Sequence, residues 1–494
     1  MKLTGRIGAE PAEVWHNEVL APQFGYEAAH LLPWYVAVEK VLLLEYVRMG
    51  LASADHAAAL AARLSEIQAA RLFPDPAENM SDIAFALERH VATGPVLPFA
   101  AWHADRSRND LQACAQLLSG RDELMSAAEA LLDVGRAALL LASSTAAIPM
   151  PGHTHLQAAQ VITPGFYLAA VSEETLRALR RLEFSYGELD ECPLGAGAMA
   201  GQELSWDTGR MARLLGFSRP APHALVAVAS RGWALSVAGD LSAYGVALSR
   251  FATDLMMWGS SEFGYIELPD SLSGISSAMP QKKNFPILER IRGRSAHLIS
   301  FALDLALAQR STPYSNMVEV SKESTAHLSA MFAALRSTAA LLTTVLENLR
   351  LRQDRMLAAC EREYLGAFTL ANLLTLRAAM PWRSAQVVVG RYVVIATERG
   401  LPPAEPDGEL LAELALAAGH QVSEPARLLA EAFDVGAALA AKQSPGSANP
   451  AAVSELLAAQ HAEYDAIGSR WAARRTATSD AVASIDDAFS ESPS

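Results

Sequence analysis

Cysteine is scarce in this chain: Cys114, Cys192 and Cys360 are the three in 494 residues, widely spaced and outside any CxxC or His-rich cluster. That excludes a disulfide framework and offers no zinc-ligand spacing; buried free thiols in a reducing cytoplasm are expected. Positive charge is also short, with 40 Lys and Arg against 54 Asp and Glu, a formal net charge of -14. The protein's own field would oppose a nonspecific hold on nucleic acid or on an anionic membrane. Uninterrupted apolar runs are missing as well. The span Ala137–Val171 carries no Asp, Glu, Lys or Arg, yet Pro149, Pro151, Gly152 and Pro164 break it, so it is no membrane-spanning helix. The first eighteen residues lack the apolar stretch of a signal peptide, so no export is expected and the protein is read as soluble and cytoplasmic.

What is present is helix-forming material. Hydrophobic residues make up 51% and charged residues 19%, and Ala and Leu, which dominate, rank at the top of helix propensity. The length allows two to four domains, and an all-α fold is expected. Apolar periodicity predicts helices over about 26–49, 53–72, 82–92, 110–144, 162–189, 225–262, 284–309 and 324–350, several long enough for a bundle of extended helices. Residues 1–25 are read as irregular, and the Ser, Asp and Ala-rich tail after about 476 as frayed. No period-two strand pattern and no internal repeat are evident.

Chemistry concentrates in polar islands between these helices. Residues 271–289, SLSGISSAMPQKKNFPILE, combine paired hydroxyls at Ser276 and Ser277 with Lys282, Lys283 and Asn284, donors suited to an anionic oxygen. On local grounds a solvated loop with a basic tip stays open. Residues 104–110, ADRSRND, put two arginines, an amide and two carboxylates ahead of a helix. Such density serves either N-capping or anion recognition. Residues 148–157 carry His153, Thr154, His155 and Gln157 at a Pro- and Gly-forced turn. The Gly-rich stretch 192–201 lacks nucleotide-loop spacing and is read as close backbone packing.

Taken together, DRSRND, PGHTHLQ, PLGAGAMAG and SSAMPQKKN resemble, in that order, the fumarase/aspartase superfamily, and within it the argininosuccinate lyase type, over about residues 82–400. The resemblance implies a nearly all-helical subunit of three domains: 1–110, a central long-helix bundle at 111–362, and a small helical domain at 363–494. It implies a homotetramer with active sites shared between subunits, and elimination of fumarate from an N-substituted aspartate, a small dicarboxylate substrate, without cofactor or metal. By this likeness Ser276 is the base that removes a proton next to a carboxylate, its alkoxide form requiring nearby N–H groups and Lys282. Lys282 and Asn284 hold the dianionic intermediate. His155 stands near the leaving nitrogen with Glu289 as its carboxylate partner, and Ser107, Arg108, Asn109, Thr154, Tyr314 and Lys322 contact the substrate.

Several positions depart from the family pattern. Ile275 replaces the Gly before the serine pair, Leu111 replaces a Gln, His153 a Tyr and Glu319 a Gln, while Val320 and Ser321 also differ. Ser230, Arg231, Gly232 and Trp233 stand where the family has an SDRDF-like segment, so carboxylates that would suit a guanidinium are missing. The elimination chemistry is untouched by these changes, and the amine half is left open. It is the arginine of argininosuccinate, or another N-succinyl amine such as an aminopolycarboxylate or a specialised-metabolism compound. The remaining alternative is a catalytically silent structural homologue.

Overall fold

The computed structural model describes residue 6 and residues 8–490. Helices dominate, as the Ala- and Leu-rich composition predicts, and their starts are chemically marked. In α1 (Ala21–His30) and α2 (Leu32–Arg48) a Pro occupies the first turn, where its missing N–H costs nothing. The Ser53 side chain caps α3 (Ala54–Ser65) through His56 N, and Asp82 caps α4 (Ile83–Ala92) through Ala84 N and Phe85 N.

The centre is a bundle of long helices. It comprises α5 (Arg108–Ser144), α6 (Pro164–Leu189), α8 (Gly232–Trp258), α9 (Pro286–Gln309) and α10 (Leu328–Asn348), with the short α7 (Ala224–Ala229) leading into α8. The run Val318–Asn348 is long enough to cross a membrane, and an 18-residue window within it has a mean hydropathy of 1.4. Here its helical part, α10, packs against α5 and α9, with Met331, Phe332, Leu335, Leu342 and Val345 inside the core.

A second apolar core lies between four helices, α12 (Ala367–Ala378), α13 (Trp382–Glu398), α14 (Gly408–Ala417) and α15 (Pro425–Phe433), after α11 (Gln353–Arg362). The last long helix, α16 (Pro450–Ala483), returns to the bundle against α5 and α6. The approach is close: a Cβ at Gly135 would lie 2.1 Å from the Tyr464 phenol oxygen, which donates to Ser172 O at 2.9 Å. Burying Leu457 and Ile467 there stabilises by about 1.5–3 kcal/mol per side chain.

Several expectations are corrected. Residues 148–162 are no plain loop: β1 (Met150–Thr154) pairs antiparallel with β2 (Gln157–Ile162). Residues 274–284 contain a second small hairpin, β3 (Gly274–Ile275) with β4 (Lys283–Asn284). Among the described residues two further two-residue strand pairs exist, too short for any period-two signal. The stretch 225–262 is interrupted at Ser230–Arg231, where α7 ends and α8 begins. The N-terminal segment is helical from Glu13, and the tail is helical to Ala483, because Ile485 and Phe489 are buried and Asp486 pairs with Lys40 at 2.6 Å. Residues 1–5, 7 and 491–494, to which both readings extended, lie outside the described residues. All three cysteines are buried thiols.

Candidate active site

The island before α5 resolves into capping and cavity lining. Ser107 is the N-cap, its Oγ accepting from Asn109 N at 3.1 Å. Arg108 donates to Asp82 Oδ2 at 2.7 Å and its guanidinium lies 4.7 Å from the Phe85 ring centre. Asn109 Nδ2 donates to Ala198 O at 2.9 Å. Asp110, buried in the first turn, accepts from Gly197 N at 2.9 Å and Gly195 N at 3.4 Å. Burial pushes its carboxyl up to about 6, and those amide donors restrain the rise.

The Gly-rich stretch thereby acquires a role. Gly195 and Gly197 have φ of +102° and +59°, and a Cβ on Gly195 would meet Thr208 Cγ2 at 2.4 Å. Only glycine lets this loop clamp Asp110 and so fix where α5 begins.

Arg108, Asn109 and Leu111 line a cavity of about 210 Å³ together with Asp82, Tyr35 and, from the far segment, Lys322. Lys322 is paired with the buried Glu27, whose carboxyl burial pushes up and Lys322 pulls back. The backbone around Lys322 is held from α5: Gln112 Nε2 and Gln116 Nε2 both donate to Ser321 O, at 3.1 and 2.7 Å. Tyr314 is 61% exposed and does not line this cavity, although Asn316 of the same segment does.

The hairpin β1–β2 presents Thr154 and His155 at its tip, both exposed. His155 and Leu156 have φ of +52° and +61°, the left-handed pair a tight two-residue hairpin turn requires. One register irregularity falls between Gly152 and His153, and the His153 ring meets Phe263 edge-on at 5.5 Å. His155 has no hydrogen-bond or charge partner among the described residues.

The hairpin β3–β4 carries the third group. Its register sets Gly274 opposite Asn284 and Ile275 opposite Lys283, leaving 276–282 as the tip. Ser276 Oγ accepts from Met279 N at 3.0 Å and from Ala278 N at 3.4 Å, two backbone donors converging on one hydroxyl oxygen. The adjacent lysines separate in role. Lys283 Nζ is tied to Glu267 Oε1 at 2.7 Å, Leu268 O at 2.7 Å and Asp270 Oδ1 at 2.9 Å. Lys282 has no side-chain partner among the described residues. Ile275 is 92% exposed, and Glu289 lies exposed in the first turn of α9.

One chain therefore brings Arg108, Asn109 and Lys322 to a single cavity, holds Ser276, Lys282 and Asn284 on one hairpin, and Thr154 and His155 on another. Among the described residues no hydrogen bond, ion pair or shared cavity joins these three groups, nor does Glu289 touch His155. Sequence reasoning missed Glu27, Asp82, Gln112 and Gln116, which hold the cavity cations and their backbone. Glu27 sits in a helical stretch without a motif, so only its burial reveals it, while Asp82 reads from sequence as no more than the N-cap of α4. No group of His, Cys, Asp and Glu that could hold a metal occurs among the described residues.

Comparison with known proteins places these features. The profile of a family described as lyase matches residues 51–300. The argininosuccinate lyase of Koribacter versatilis (strain Ellin345) is 32% identical over 369 residues, 74% of this chain and 77% of that protein. That of Methanothrix thermoacetophila is 30% identical over 401 residues, 81% of this chain and 82% of that protein. Among solved structures, an EDDS lyase in complex with formate superposes with a TM-score of 0.85 at 23% identity, covering 98% of this chain and 96% of that one. A class II fumarase from Schistosoma mansoni gives 0.65 at 15% identity, covering 83% and 90%. At these identities the two structures establish the fold.

Proposed function

This chain belongs to the lyase family, in the fumarase/aspartase superfamily and of the argininosuccinate lyase type, and we propose that it releases fumarate from an N-substituted aspartate by proton abstraction at Ser276. It is a carbon–nitrogen lyase. The observation that carries the mechanism is the Ser276 hydroxyl oxygen held against the N–H groups of Ala278 and Met279. A serine alcohol is a weak base, and two fixed donors, with the amine of Lys282 from the same hairpin tip, stabilise its alkoxide.

That alkoxide takes the proton from the carbon next to a substrate carboxylate. Lys282 and Asn284 hold the negative charge that builds on the carboxylate oxygens. The electron pair then forms the carbon–carbon double bond as the carbon–nitrogen bond breaks. The nitrogen leaves with its pair and takes up a proton on the side of His155, with Glu289 supporting that histidine. Arg108, Asn109 and Lys322 bind carboxylate oxygens, aided by Ser107, Thr154 and Tyr314.

The three separated groups meet in a homotetramer whose sites are shared between subunits. An exposed apolar stripe on α9, Ile299, Leu303 and Leu307 at intervals of one helical turn, supports a subunit contact along the bundle. Incubation with a panel of N-substituted aspartates, following fumarate by ultraviolet absorbance, tests the function. Fumarate from at least one of them is expected, and none from any, in a correctly assembled particle, identifies a silent homologue instead.

A further inference from the structure

Among the described residues three guanidinium groups are buried, and two have carboxylates. Arg106 is paired with Glu39, and Arg121 has Asp190 Oδ1 at 3.4 Å. Arg231, 1% exposed, has none. Its Nε donates to Gln116 Oε1 at 2.7 Å, its Nη1 donates to Val228 O at 3.1 Å and Ser230 O at 2.9 Å, and its Nη2 has no partner among the described residues. The carbonyl end of α7 gives partial compensation, as helix C-termini do for cations. No residue among those described supplies a counter-ion, and a buried charge without one is costly unless something else requires it.

The position of this charge is informative. Gln116, its hydrogen-bond partner, is the residue whose amide holds Ser321 O beside Lys322. Tyr35, which lines the cavity of Arg108 and Lys322, lies within electrostatic reach of Arg231. Inside that cavity the charges cancel in pairs, Arg108 with Asp82 and Lys322 with Glu27. The unbalanced charge next to it is Arg231, which is linked through Gln116 and itself lines a separate cavity of about 480 Å³ where Glu188 is exposed and Glu191 is paired with Arg219. A neighbouring cavity of about 340 Å³, sharing Gln116, Glu27 and Lys322, also has Glu18 and Glu323 on its rim, but both are exposed and solvent screens them.

We propose that Arg231 is a specificity-determining residue whose buried charge biases the site toward N-substituted aspartates with a carboxylate on the amine half, and against those with a cationic amine half. The inference depends on the fumarate-releasing reaction. It acts through the field, without contact with substrate, and Ser230 and Gly232 flank the guanidinium with no carboxylate to cancel it.

The test runs the reaction backward, consuming fumarate with either aspartate or 1,3-diaminopropane as the amine. The wild-type protein prefers aspartate. Arg231→Met lowers the ratio of the two kcat/KM values by roughly three- to ten-fold, as expected for one unit charge near the site at intermediate dielectric. Arg231→Lys, which keeps the charge, retains the ratio. Ser230→Asp provides a second route, since it places a carboxylate beside Arg231 and keeps an acceptor for Gly232 N, now bonded to Ser230 Oγ at 3.0 Å. It lowers the ratio in the same direction, and carries the test if Arg231→Met does not fold. A wild-type preference for the diamine, or an unchanged ratio in both variants, overturns the proposal and leaves Arg231 a structural residue. If the wild-type protein consumes fumarate with no amine at all, the parent reaction fails and this inference with it.

Discussion

The cavity at the start of α5 and the hairpin β3–β4 hold two halves of one proposed site in opposite electrostatic states. In the cavity both cations are already matched, Arg108 to Asp82 and Lys322 to Glu27, on helices fixed by caps and by the glycine clamp on Asp110. On the hairpin Lys283 is matched, while the side chains of Lys282 and Asn284 have no partner among the described residues and Ser276 Oγ is held by two amides. Under the proposed mechanism this difference separates recognition from reaction. Recognition is built into one chain and must exchange internal ion pairs for substrate carboxylates, whereas the reacting groups are poised for something brought to them.

The sharpest way to break this division is at Ser276. Ser276→Ala should lower turnover by 10² to 10⁴ or more, the range of a general base, with an unfolding midpoint close to wild type because the side chain buries little. Appreciable activity would remove Ser276 as the base. Next are the two lysines. Lys282→Met should cost on the order of 10² in kcat by removing charge stabilisation, while Lys283→Met should cost less and chiefly loosen the hairpin, detectable as faster amide exchange at 274–284. Equal losses in kcat would erase the distinction their different partners imply.

Smaller effects belong to the cavity. Arg108→Gln should raise KM about tenfold with kcat little changed, the signature of a binding contact, and a loss confined to kcat would move Arg108 to the reacting half. The smallest is thermodynamic. Burial pushes the Asp110 carboxyl up to about 6 in the folded chain, from an ordinary 3.8. The folded state thus holds this proton more tightly, so its contribution is present below pH 4 and is lost as pH rises through 6, by up to roughly 3 kcal/mol. Denaturant unfolding between pH 4 and 7 should show a flatter slope for Asp110→Asn.

Much of this was legible in the residues. Long helices follow from Ala and Leu periodicity, while Ser276, Lys282 and Asn284 stand out only as a polar island, their roles being what the family resemblance implies. The hairpins were not, because strands of two to six residues that include Pro151, Gly152 and Gly274 carry no usable alternation. The tail's helix was hidden by its Ser and Asp content, since its anchors Ile485 and Phe489 act through distant contacts. Arg231 looked like one more polar island. Its isolation depends on Gln116 from another helix, and on carboxylates that a chain alone does not place in space.

In the proposed homotetramer, groups lying apart on one chain complete each other across subunits. Coexpression of Ser276→Ala with His155→Asn tests it most directly, since each variant alone should be inactive while mixed particles can assemble one site with both residues intact. Fumarate release by the mixed particles is the predicted result; no release, with mixed assembly demonstrated, would contradict it.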